Sequence, residues 1–102
     1  MADTKRRLPV KTRVMALDGE YAGWEFTACT NPRISAFADI ASGEFARISE
    51  GLAYIVRGWN FVDEEGEEMD PPSRETIGML PLDLVTAISS KFVEALSTLP
   101  PK

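Results

Sequence analysis

The chain has no histidine and one cysteine, Cys29, in 102 residues. The first absence removes the commonest general base, the Ser-His and Cys-His nucleophile pairs and the commonest transition-metal ligand together. A single thiol closes no internal disulfide, and a zinc site needs several Cys or His ligands at close spacing. Long apolar runs are missing too; none approaches the roughly 18 residues that span a bilayer. The opening Met1-Ala2-Asp3-Thr4-Lys5-Arg6-Arg7 is polar and carries no apolar core of a secretory signal. The expectation is a cytoplasmic protein with no membrane partner, no cofactor and no metal. Carboxylate-only chemistry of the glycosidase kind is the one catalytic class left, as a small hydrolase. No catalytic constellation marks it, and the chain is expected not to be an enzyme.

What is present is enough for one modest core. At 44% hydrophobic and 26% charged residues the composition is that of a globular domain, and a chain this short buries roughly 60–70% of its unfolded surface. Charge is unevenly placed. Residues 1–13 hold Lys5, Arg6, Arg7, Lys11 and Arg13 against Asp3, a balance of +4 that leaves −9 for the rest of a chain whose net charge is −5. So acidic a body repels a phosphate backbone, and no nucleic-acid partner is expected. Residues 1–9 read as a flexible basic arm and 10–100 as a single α+β domain.

The domain opens with a hairpin. Thr12–Leu17 and Trp24–Thr30 read as strands around a Gly-containing loop of roughly three to five residues. Alternation sets Trp24, Phe26 and Ala28 on an apolar face and Glu25, Thr27 and Cys29 on a polar one. Asn31-Pro32 is a helix-start signal, followed by a short stripe of Ile34, Phe37 and Ala41. A second helix carries Phe45, Ile48, Leu52, Ile55 and Trp59 at three- and four-residue spacing. Gly51 in its middle predicts a kink or a close contact, and Gly58 reads as its C-cap.

The densest stretch follows. Trp59-Asn60-Phe61-Val62 has the composition of a strand, Asp63-Glu64-Glu65-Gly66 that of a turn, and Glu67-Glu68-Met69 of a weak returning strand, giving a short central strand or hairpin. Its acids do not match a calcium loop: counted from Asp63, glycine falls at position four instead of six. A solvated tip able to meet a basic partner, or the arm of a neighbouring copy, fits better. Ser73 caps a short turn through Met79. Pro81 opens a last helix with Leu82, Val85, Ile88, Phe92, Leu96 and Leu99 in register and Leu84 and Val93 beside them. That apolar arc is wide, so other helices must cover it all or part remains for another chain. About three helices are expected. The surface candidates for a partner are Trp59, Phe61, Leu84, Phe92, Val93 and Leu96.

The order of these signals resembles the small tail assembly chaperones of long-tailed bacteriophages. The matching pieces are Trp59-Asn60-Phe61-Val62-Asp63-Glu64-Glu65-Gly66, the step Pro71-Pro72, and Leu80-Pro81-Leu82-Asp83-Leu84. The Leu17-Asp18-Gly19-Glu20-Tyr21 hairpin and the Asn31-Pro32 start are similar too. The resemblance implies a non-enzymatic helper that holds the tape-measure protein soluble, brings the major tail protein to it, and is absent from the finished virion. It also implies a frameshift-extended second form, for which the codons of Pro100 to Lys102 are the place to look. A different class, a structural tail-completion or head–tail joining subunit forming a ring, is the alternative.

Overall fold

A computed structural model describes residues 6–97. Strand β1 (Thr12–Ala16) and strand β2 (Glu25–Cys29) form the expected hairpin, with Met15 opposite Phe26 and Ala16 opposite Glu25. Leu17 N–H closes its end on the Trp24 carbonyl at 2.9 Å, so residues 18–23 make a slightly longer loop than expected. A single 3-10 turn fills that loop, and Gly19 and Gly23 supply its positive φ values of 66° and 94°. The alternation holds for Phe26 and Ala28, which are buried, and for Trp24, which packs against the core. Cys29 departs from it. Instead of standing on a polar face, its thiol is buried beneath Asn31 and lies 3.3 Å from Oδ1.

Asn31 explains the next difference. Its Oδ1 accepts from Lys11 N–H at 2.9 Å and its Nδ2 donates to the Pro9 carbonyl at 2.9 Å, so the side chain fastens the arm and caps no helix. Helix α1 (Ile34–Ala41) therefore starts later, after an extended Arg33. Its buried face is Ala36 and Ile40, while Ile34 is 87% exposed. Helix α2 (Phe45–Ile55) lies directly on α1. A Cβ built at Gly51 would stand 2.8 Å from the Ala36 carbonyl oxygen, so the glycine supplies the predicted close contact. Ile48, Leu52 and Ile55 of α2 enter the core; Phe45 stays 52% exposed.

Gly58 is not a helix cap. Helix α2 passes straight into strand β3 (Val56–Trp59), whose Val56 is extended while its N–H still bonds the Leu52 carbonyl. Pairing with β2 satisfies the backbone that a C-cap would otherwise serve. The antiparallel sheet runs β1-β2-β3. Thr27 faces Gly58 and Ala28 faces Val56, which leaves Arg57 as the extra residue of a bulge.

Beyond β3, Met69 N–H bonds the Phe61 carbonyl, Val62 bridges Glu68, and Asp63 N–H bonds the Glu67 carbonyl. This is the expected returning turn, with Gly66 at φ 84°. Ser73 and Thr76 then form a reciprocal capping box on helix α3 (Arg74–Gly78). Helix α4 (Leu82–Ser97) starts at Pro81, whose carbonyl accepts from Leu84 and Val85 N–H. With α3 counted, four helices stand among the described residues where about three were expected, and the class is α+β as expected.

The core is one cluster. Met15, Phe26 and Val56 of the sheet, with Leu17 just past β1, meet Ile40, Leu52, Ile55, Phe61, Ile77, Leu84, Val85, Ile88 and Phe92. At roughly 1.5–3 kcal/mol per buried large apolar side chain, α4 is bound chiefly through these last four residues. No helix among the described residues is long and apolar enough to cross a membrane.

Candidate functional site

Three of the six expected surface residues are interior. Phe61 and Leu84 are 1% exposed and Phe92 is fully buried, so none presents a face to a partner. The cause in α4 is rotation. Leu82, expected within the stripe, is exposed, and Leu84, expected beside it, takes the core position. Leu99 lies outside the described residues.

Trp59 is half-buried and serves the joint. Its ring stacks on Phe61 at 4.8 Å with 20° between planes; Phe61 meets Trp24 at 5.0 Å, and Trp24 meets Tyr21 edge-on at 5.2 Å. Trp59 Nε1–H donates to the Asp70 carbonyl at 3.2 Å, tying the end of the acidic turn back to the sheet. Asn60 adds two clamps, accepting from Glu25 N–H at 2.8 Å and donating to the Gly23 carbonyl at 3.2 Å. In the turn itself, Asp63 Oδ1 accepts from the N–H groups of Glu65 and Glu67, both at 2.9 Å. Among the described residues no group of three or more Cys, Asp or Glu side chains is placed to hold a metal.

The remaining two, Val93 and Leu96, lie on one flank of α4 and are half-buried. Val93 borders an open groove of about 430 Å³ whose lining is Ile40 of α1 with Ser89, Ser90, Val93 and Glu94 of α4; Leu96 does not line it. The two helices also meet where the Phe37 ring of α1 stands 6.5 Å from that of Phe92 in α4. Volume in this range suits a few side chains of a bound segment, and an apolar floor with a polar rim is the usual form of such a site. Ser89 is already bonded to the Val85 carbonyl, so its hydroxyl narrows the rim without offering a free donor.

A second feature had no counterpart in the sequence reading. Arg33 and Arg57 both place their guanidinium carbons over the ring of Tyr54, at 4.1 and 5.0 Å from its centre. Tyr54 lies in the last turn of α2, Arg57 is the extra residue in β3 and Arg33 directly precedes α1, so three elements meet at the ring. The bulge that turns Arg57 toward the ring leaves no mark in sequence. Comparison of the chain with protein-family models, with curated proteins and with solved structures found no match in any of the three.

Proposed function

We propose that this chain is a tail assembly chaperone of a long-tailed bacteriophage, acting without catalysis in the cytoplasm of the host cell. It holds an amphipathic helix of the tape-measure protein in the groove between α1 and α4 until the major tail protein packs around it. The observation that carries this is the unspent apolar flank of α4. After Leu84, Val85, Ile88 and Phe92 are buried, Val93 remains partly open in the groove with Ile40, and Leu96 further along the helix is partly open as well. A helix laid in a groove reads such a flank through residues three and four apart. The Trp59–Gly66 joint and the Pro81 start, which carry the resemblance, support the same reading.

Co-expression with the tape-measure protein tests it. The wild-type chain is expected to keep that client soluble and to be missing from purified virions. Val93→Asp, which places a charge on the groove wall at an already half-exposed position, is expected to lower the soluble client at least about tenfold, as loss of about 1.4 kcal/mol or more of binding does. Its circular dichroism is expected to stay that of the wild type. Solubility unchanged by Val93→Asp removes the groove from the account, and the chain's presence in virions favours the joining-subunit alternative, which the charge separation described next also suits.

A further inference from the structure

We infer that Arg33, Tyr54 and Arg57 form a carboxylate clamp that receives the acidic turn 63–70 of a second copy of this chain, joining copies head to tail. Both guanidinium groups are attracted to the Tyr54 ring, which gathers two like charges at one place, and an incoming carboxylate offsets their repulsion. None of Lys11, Arg13, Arg33 and Arg57 has an ion pair among the described residues, whereas Arg47, Arg74 and Lys91 all do. The unpaired cations share one end of the sheet. Arg13 is opposite Ala28, Ala28 is opposite Val56, and Thr30 N–H bonds the Lys11 carbonyl, so β1 begins where β2 ends and β3 begins. Asn31 holds Pro9 at this end as well, and the exposed Arg6 and Arg7 precede Pro9 in the chain.

The complementary charge stands at the other end. Glu64, Glu65, Glu67, Glu68 and Asp70 are exposed and without ion pairs among the described residues, beyond the far end of β3. The tip is already shaped by the two bonds to Asp63 Oδ1 and by the Val62–Glu68 bridge, so little ordering is lost on docking. Lying at opposite ends of β3, clamp and tip of one molecule do not meet each other. They meet between molecules, and a contact between two different patches repeats into a ring or a filament. This inference is independent of client binding in the groove.

Sedimentation of the full chain at about 0.02 M and about 0.5 M salt tests it, because the two ionic strengths bracket strong and weak screening. At low salt the mass is expected to climb with concentration from the 11.3 kDa monomer, and at high salt to return to it. R33E/R57E alone and E64K/E65K/E67K alone are each expected to associate at least about tenfold less tightly. Their equimolar mixture is expected to regain association, since the acidic tip of one fits the intact clamp of the other. A wild-type chain that is monomeric throughout overturns the inference, as does R33E/R57E associating like wild type. So does a mixture of two folded variants that stays monomeric. Binding of a free poly-glutamate peptide by a wild-type chain that never self-associates assigns the clamp to another acidic partner and overturns the second-copy assignment.

Discussion

Gly51 shows how one residue sets the distance between two helices. Intrinsic preference favours alanine over glycine in a helix interior by about 1 kcal/mol. Here the new methyl would press on backbone: the Ala36 carbonyl oxygen at 2.8 Å, with Ile40 Cγ1 at 2.9 Å behind it. A carbonyl in a helix does not swing aside as a side-chain end does, so α1 must move. Gly51→Ala is expected to destabilise the fold by about 1–3 kcal/mol, the usual cost of overpacking, and a urea-unfolding midpoint that falls measures it. A midpoint that rises would mean propensity wins and α1 shifts freely. In sequence Gly51 left a kink or a close contact open, and the neighbour that makes it a contact, Ala36, is not legible there. Cys29 shows the opposite case: alternation puts it on a polar face, yet it is buried with its thiol 3.3 Å from Asn31 Oδ1, a contact periodicity does not encode.

Among elements, those with a chemical signal of their own were legible. Ser73 and Pro81 marked the starts of α3 and α4, and Phe26 and Ala28, with Trp24 just before the strand, set the inner face at β2. Those whose placement depends on a neighbour were not. Helix α1 is too short for a stripe to fix its phase, and contact with Gly51 chose Ala36 and Ile40 over Ile34. In α4 the apolar arc was wide enough to allow several rotations, and the core selected Leu84 over Leu82. Of the groove, Val93 was named from that same excess, while the Arg–Tyr–Arg cluster includes a residue of a bulge. The loop of the first hairpin and the central turn are joined through Asn60, and Asn60→Ala deletes both bonds at once. The expected loss is about 1–2 kcal/mol, given the site's exposure. Hydrogen exchange locates it: the Glu25 amide should lose protection, while the Val85 amide in α4 should keep it.

At the scale of the whole molecule, α4 is tied back to the first hairpin by two long-range contacts. Tyr21 Oη–H donates to Asp83 Oδ1 at 2.9 Å, and Lys91 Nζ reaches Asp18 Oδ2 at 3.3 Å. The bond to Asp83 raises the Tyr21 hydroxyl above its usual 10.0, with smaller contributions from desolvation and the charges of Asp83 and Glu20. Because the folded value exceeds the unfolded one, this stabilisation is full below about 10 and is lost as pH climbs through the raised value. The stability difference between wild type and Tyr21→Phe, from urea unfolding, should hold constant from neutral pH to about 10 and shrink above it. A difference that stays unchanged above pH 10 as well would show the bond absent in solution. The direct run from Ile55 of α2 into Val56 of β3 has a wider consequence. With no loop between them there is no slack to absorb a change in chain length. One inserted residue would turn the helix by roughly 100° against the strand, and it would send every β3 side chain to the opposite face. The molecule's evolutionary freedom to gain or lose residues is thereby pushed outward, to the tip beyond Phe61 and the arm before Asn31's grip.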